Sequence, residues 1–327
     1  MSFKAFVIRK EDDNLTSGVE TWEESMLSEG EVTIAVSYSS VNYKDAIVGQ
    51  LGQLANFYPL IPGIDLAGTI VSSKDSRFKD GDAVIATSYK IGTGHHGGFS
   101  EVARVPADWV VPLPDGLTLK ESMILGTAGL TAALSIQRLE DNGLTPESGP
   151  VVVAGATGGV GSLAVAMLAK RGYDVTASTG KKEEHDFLYE LGAKNVISRE
   201  ELTSSENKPT RAQQWAGAVD PVGGQTLAYI LSTLKRGGSV ATSGFTAGSD
   251  VETNVIPFIG RGVNWLGIDS VTCDMPKRKQ AWNRLATDLK LDNLESIANE
   301  VGIDELTEVF PKLLAGQMKG RTLVTFE

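Results

Sequence analysis

Cysteine is almost missing from this chain: Cys273 stands alone among 327 residues. An intrachain disulfide is therefore impossible, and so is a metal site built on several thiolates. Positive charge is short as well. With 30 Lys and Arg against 41 Asp and Glu, the net charge is -11, the wrong sign for non-specific binding to nucleic acid or anionic lipid. No apolar run approaches the ~20 residues of a membrane-spanning helix. Residues 1–10 lack the basic start and long apolar core of a secretory signal. What remains is an ordinary mix, 41% apolar and 22% charged, long enough for two domains with a core each. The expectation is a cytoplasmic protein whose partner is a small molecule, with neither nucleic acid nor membrane involved.

Two patterns divide the sequence. Residues 1 to about 120 carry short strand-like runs broken by Gly and Pro, among them Lys4–Arg9, Val32–Ser37, Asp65–Val71, Ala83–Ala86 and Trp109–Val111. Many short strands separated by turn signals point to a β-rich, barrel-like unit. From Val151, strands alternate with helices. The candidate parallel strands are Val151–Ala156, Asp174–Ser178, Asn195–Ser198, Ala218–Asp220 and Ser239–Ser243, with helices Ser162–Arg171, Lys182–Leu191 and Gln225–Lys235 between them. Such alternation predicts an α/β unit with a doubly wound parallel sheet. Asn264–Asp269 reads as a further strand. Helices at Lys277–Lys290 and Asp304–Ala315 and a strand at Arg321–Phe326 follow, and Glu200–Thr210 reads as a surface loop.

The richest run is Val151 to Gly161, a β-branched strand entering the glycine-dense turn Gly155-Ala156-Thr157-Gly158-Gly159-Val160-Gly161. Strand, glycine turn and helix in this order form a dinucleotide-binding turn. Gly158 lets the backbone approach a pyrophosphate, Gly161 lets helix and strand pack closely, and the helix N-terminus meets the anion. Ala156 stands where the first glycine of the pattern is usual. At the end of the second strand, where a carboxylate would read an NAD ribose, the chain has Ser178-Thr179-Gly180-Lys181-Lys182. Hydroxyls and ammonium groups suit a 2′-phosphate, so NADPH is favoured over NADH. The competing reading makes Lys181 and Lys182 an exposed helix start.

With these residues in place, the chain resembles the zinc-independent branch of the medium-chain dehydrogenase/reductase superfamily, and within it the YhdH/YhfP group. The resemblance rests on Ser40-Val41-Asn42-Tyr43-Lys44-Asp45, Pro62-Gly63-Ile64-Asp65-Leu66-Ala67-Gly68, Gly97-Gly98-Phe99-Ser100-Glu101, Gly126-Thr127-Ala128-Gly129-Leu130-Thr131-Ala132, Val219-Asp220-Pro221-Val222-Gly223-Gly224, Leu266-Gly267-Ile268-Asp269-Ser270 and Gly320-Arg321-Thr322-Leu323-Val324. It implies a GroES-like catalytic domain from residues 1–123 and 261–327, and a Rossmann NADPH-binding domain from 124–260. It also implies phosphate contacts at Gly158, Gly159, Val160 and Gly161. Ser178, Thr179, Gly180 and Lys181 would meet the 2′-phosphate, with Arg199 on the adenine side. Around the nicotinamide half it implies Tyr43, Thr127, Gly244, Phe245 and Arg321. A homodimer through the Val255–Ile259 segment and the Asn264–Asp269 strand is the expectation by resemblance.

Zinc-dependent relatives place a cysteine, a histidine and a third ligand near the substrate. The corresponding positions here are Asn42/Tyr43 and Asp65, a poor shell for zinc, so no metal is expected. Without a Lewis acid the acceptor must be electrophilic already, as in a C=C bond conjugated to a carbonyl. Such a reaction needs a donor at the carbonyl oxygen and a proton source. The candidates are Tyr43, Asn42 and Asp65. Tyr43 either donates or stacks on the nicotinamide, Asn42 orients substrate or ribose, and Asp65 either binds substrate or ties down its turn. The leading expectation is an NADPH-dependent reductase of an acrylyl-CoA-type enoyl thioester. An NADPH:quinone oxidoreductase and a non-catalytic NADPH-binding protein are the alternatives. His95 and His96 read as a loop or exposed turn, Asp220 as the end of a strand, and Cys273 as an ordinary thiol. Lys277, Arg278 and Lys279 read as a solvated helix start, with docking of CoA phosphates as the alternative.

Overall fold

The computed structural model describes residues 1–12, 14–204, 206 and 208–326. The chain divides into two compact units: Met1–Thr127 with Val271–Gln280 and Asn293–Glu327, and Ala128–Ser270 with Ala281–Asp292.

The first unit is β-rich, as expected. Its main sheet runs in the order Ala298–Gly302, Arg321–Thr325, Val32–Val41, Asp65–Ser73, Ala83–Thr87, Val110–Pro112, with Val102–Val105 also pairing Val32–Val41. The hairpin Ser2–Glu11/Asn14–Glu23 is separate. Two registers matter for function. The strand near the C-terminus pairs antiparallel with Val32–Val41, setting Thr322 opposite Val41, which carries Arg321 to Asn42 across 279 positions. Asp65 opens its strand opposite Thr87. Directly after Val32–Val41 the chain turns into the helix Tyr43–Leu51, capped by Asn42 and Asp45. That helix lies close to Leu306–Leu314, because Gly49 has no Cβ where the Phe310 ring sits.

The second unit is the doubly wound sheet. All its strand pairs are parallel, in the order Asn195–Ser198, Val175–Thr179, Val151–Val153, Trp215–Asp220, Leu234–Thr242, Asn264–Gly267. Numbered along the sequence this is 3-2-1-4-5-6, the dinucleotide-binding order. The central strands Val151–Val153 and Trp215–Asp220 are buried along their length, which is why they read as continuous apolar runs rather than alternating ones.

The division differs from the expected boundaries of 123/124 and 260/261. Asn264–Gly267 pairs with Leu234–Thr242 as the sixth strand, so the sheet unit runs on to Ser270. Ala281–Asp292 joins it too, since Arg284 bridges Glu140 at 2.8 Å and Asp292 bridges Lys170 at 3.0 Å. The expected helix Lys182–Leu191 is shorter, a 3-10 turn at Lys182–Glu184 followed by His185–Glu190. No helix among the described residues is long and apolar enough to cross a membrane.

Candidate active site

Three polar residues of the first unit converge on the carboxylate of Asp65, which is fully buried. Oδ2 accepts from Ser40 Oγ at 2.9 Å, Asn42 Nδ2 at 2.8 Å and the Thr127 backbone N–H at 2.8 Å. Oδ1 accepts from the Thr127 hydroxyl. Thr127 reaches this point because the helix Leu119–Asp141 breaks at Gly126, with φ 51° and ψ -154°. A Cβ there would lie 2.5 Å from Asp65 Oδ2 and from Ser40 Oγ, so only glycine is accommodated.

Arg321 closes the other side. Its guanidinium, buried within the unit, donates to the carbonyls of Ile124 (2.9 Å) and Val41 (3.2 Å) and to Asn42 Oδ1 (3.3 Å). Burial pulls its pKa below the ordinary guanidinium value, while the charges of Asp65 and Asp45 push the other way. Asp45 lies beneath, accepting from the backbone N–H groups of Asn42 and Ile64, each at 2.8 Å. Burial, and then the neighbouring Asp65, raise its pKa to about 7.

The three expected catalytic residues are thus brought together but do not stand alike. The Asn42 carboxamide is engaged on both sides, accepting from Arg321 and donating to Asp65 and Asp45. Asp65 is sealed inside. Tyr43, the first residue of its helix and the neighbour of Asn42 in sequence, is 43% exposed.

In the second unit the glycine turn has the predicted form. Gly155 takes φ 56°, and Gly158 precedes the helix Gly159–Lys170. A Cβ on Gly161 would collide with the Gly155 carbonyl and lie 2.8 Å from the Ala156 Cα, which is the close packing expected. At Gly158 a Cβ would meet only the Gly155 carbonyl, at 3.3 Å. Its missing side chain therefore opens space on the exposed side of the turn, the cradle a pyrophosphate requires. Val160 stands half-buried in the first helical turn.

Ser178 and Thr179 end the strand Val175–Thr179, and Gly180 and Lys181 follow directly. Thr179 Oγ1 lies 3.3 Å from Thr157 Oγ1 and accepts from the Lys181 N–H at 3.1 Å. Ser178 Oγ donates to the Ser198 carbonyl at 3.3 Å. The exposed Arg199 guanidinium lies so close to Gly180 that a Cβ there would sit 2.9 Å from it. Hydroxyls, a lysine and an arginine stand at this strand end without a carboxylate from Ser178 to Lys182. Gly244 and Phe245 line a cavity of about 570 Å³ at the carboxyl ends of the fifth and sixth strands, with Thr242, Ser243, Gly267 and Asp269.

Three other sequence readings come out differently or more sharply. His95 and His96 are 8% and 6% exposed rather than on an open turn. His96 packs edge-on to Trp22 and Phe57, and its Nδ1 accepts from the Ile61 N–H. Arg278 is fully buried, not solvated. Its guanidinium donates to the Thr87 carbonyl and hydroxyl and to the Val271 carbonyl, and stacks 4.4 Å from the Tyr89 ring centroid. Asp220 does end its strand, accepting from the Val222 and Gly223 N–H groups, and burial raises its pKa to about 6. Among the described residues, no group of three or more His, Cys, Asp or Glu is placed to hold a metal ion.

Comparison with known proteins agrees with this architecture. Residues 28–115 match the alcohol dehydrogenase GroES-like domain, and residues 159–287 match the family described as zinc-binding dehydrogenase. YhfP of Bacillus subtilis, provisionally named a quinone oxidoreductase, is 52% identical over 324 residues, 98% of each chain. Its solved structure with NAD bound matches with a TM-score of 0.97 over 100% of both chains. The acrylyl-CoA reductase AcuI of Ruegeria pomeroyi is 46% identical over 325 residues, again 98% of each. The yhdH oxidoreductase of Salmonella enterica, solved in complex with NADP, is 42% identical with a TM-score of 0.96, covering 99% of this chain and 100% of that one. With a GroES-like unit, a 3-2-1-4-5-6 parallel sheet and full-length relatives at this identity, the chain belongs to the YhdH/YhfP group of zinc-independent medium-chain dehydrogenases/reductases.

Proposed function

We propose that the chain is a cytoplasmic, homodimeric NADPH-dependent reductase of C=C bonds activated by a carbonyl group, with an acrylyl-CoA-type enoyl thioester as its substrate. The observation that carries the reading is Tyr43, 43% exposed at a helix start directly after Asn42, whose carboxamide is held by the buried Asp65 and Arg321. Similarity to AcuI supports the thioester.

Bound NADPH supplies the hydride. The residues fit it: Gly158–Gly161 offer an open, glycine-lined helix start to the pyrophosphate. Ser178, Thr179, Gly180, Lys181 and Arg199 would hold the 2′-phosphate, and Gly244 and Phe245 would flank the nicotinamide half. Reduction at the β-carbon of an enoyl thioester places negative charge on the carbonyl oxygen. The Tyr43 hydroxyl donates a hydrogen bond to that oxygen. Asn42, Asp65 and Arg321 are positioning residues: their mutual hydrogen bonds fix the backbone from which Tyr43 and Thr127 project.

Quinone reduction is the second reading, favoured by the 52% identity to YhfP. Binding of NADPH without catalysis leaves the buried network without a purpose. Steady-state rates with acrylyl-CoA, crotonyl-CoA and a benzoquinone, each with NADPH and with NADH, separate these. Turnover of acrylyl-CoA with NADPH, at least about tenfold above NADH, is expected, a preference of about 1.4 kcal/mol. Quinone turnover alone would overturn the substrate, and equal use of both nucleotides would overturn the role of Lys181 and Arg199. Tyr43→Phe should lower kcat about 10²-fold, in line with loss of one acid or donor.

A further inference from the structure

Ser88 is absent from every motif above, yet it holds the most constrained backbone beside Asp65. Ser88 and Tyr89 follow the strand Ala83–Thr87 with φ of 67° and 49°. Two successive non-glycine residues in the left-handed region persist only where the surroundings fix them. The surroundings do so. The Ser88 N–H donates to the Ile64 carbonyl at 2.7 Å, and the Tyr89 N–H to Val271 at 3.2 Å. Arg278 braces the corner from beneath through Thr87, Val271 and the Tyr89 ring. The Tyr89 ring in turn stacks on Trp109, 5.4 Å between centroids and 6° from parallel.

This corner delivers one polar atom. Ser88 Oγ, on a residue 1% exposed, lies 2.9 Å from Thr127 Oγ1. The distance alone does not say which hydroxyl donates, but the next bond does. Thr127 gives its hydroxyl proton to Asp65 Oδ1, and a hydroxyl has a single proton to give. Ser88 is therefore the donor, and the chain has one polarity: Ser88 to Thr127 to Asp65.

We infer that Ser88 is a positioning residue for the reductase site. It locks the hydroxyl of Thr127 into a single orientation with its proton committed inward, so that Thr127 serves the site as an acceptor and not as an acid. The strained corner braced by Arg278 keeps Ser88 in register. The inference rests on the proposed reductase reading for its kinetic consequence, but not for the polarity of the chain.

Two substitutions separate hydroxyl from backbone. Ser88→Ala removes the hydroxyl and keeps the strained Cβ, whereas Ser88→Gly removes both. Both should lower kcat for the acceptor about tenfold while NADPH affinity, read by fluorescence titration, changes less than twofold. Ser88→Gly should melt no lower than Ser88→Ala. Wild-type kcat in both variants would overturn the inference. So would a loss in Ser88→Ala that Ser88→Gly restores, since backbone strain would then be the cause. A crystal structure of Ser88→Ala gives a readout independent of turnover. More than one Thr127 side-chain rotamer is expected there, and one unchanged rotamer still on Asp65 would refute the role. An inactive wild type with all acceptors would defeat the proposed function and leave this structural outcome to decide whether Ser88 orients Thr127.

Discussion

At Asp45 two effects oppose each other, and the pH dependence shows which is larger. Three N–H donors favour the charged form, but full burial and the neighbouring Asp65 outweigh them and carry the pKa from 3.8 to about 7. The folded chain thus holds a proton there that the unfolded chain has lost. The stability this contributes is complete below 3.8 and is lost as pH rises to about 7. Asp45→Asn removes the titration. The stability difference between wild type and Asp45→Asn, from urea melts, should therefore shrink steadily across that window and then level off. A constant difference would show that folding does not raise the Asp45 pKa. His96 has the opposite sign. Burial, then repulsion from His95, lowers it from 6.5 to about 4, so its contribution is lost as pH falls through that range, and only the difference between variants isolates Asp45. At this scale the sequence named Asn42, Tyr43, Asp65, Thr127 and Arg321 as candidates but not the hydrogen bonds that join four of them, nor their unequal exposure. Ser88 and Arg278 were illegible, because their partners Thr127 and Thr87 lie 39 and 191 positions away.

Elements were legible where local chemistry sufficed. Asn195–Ser198 is legible at its observed limits, and five strands of the parallel sheet were expected as such, whereas Asn264–Asp269 reads as a strand without showing that it joins that sheet as the sixth. The strand Asn14–Glu23 was not, because its residues are mostly polar and exposed and only pairing with Ser2–Glu11 makes it a strand. Ala298–Gly302 was missed for the same reason, its partner being Arg321–Thr325. The glycine turn shows how far local reading extends, since its two glycines have separable duties. Gly158 has φ -78° and a nearly open Cβ direction. Gly158→Ala should therefore cost under about 1 kcal/mol, mainly through a poorer helix cap, yet raise the Kd for NADPH at least about tenfold. Gly161→Ala forces a methyl against Gly155 and Ala156 and should cost about 1–3 kcal/mol through overpacking. Thermal melts paired with NADPH titration check both. Equal stability losses in the two variants would contradict the division of labour.

For the whole molecule, the sixth strand poses the question of assembly. Asn264–Gly267 pairs with Leu234–Thr242 on one side and is the last strand of its sheet. An exposed edge strand invites another chain, and isolated proteins blunt such edges with charge or proline. This edge instead carries Trp265, 42% exposed, near in sequence to Val255, Ile256 and Ile259 at 65%, 46% and 80%. Four large apolar side chains left in water over eleven residues are a cost that a second copy of the chain would remove, and a two-fold pairing of identical edges continues the sheet without leaving a free end. The net charge of -11 works against association, so the apolar edge must outweigh that repulsion over the ~1,200–2,000 Å² that a stable interface buries. Sedimentation should give twice the mass of the chain. Ile259→Glu, at a position exposed enough for the fold to tolerate it, should give single chains with an unchanged circular dichroism spectrum. A monomeric wild type would refute the homodimer, and a variant that remains dimeric would place the contact elsewhere.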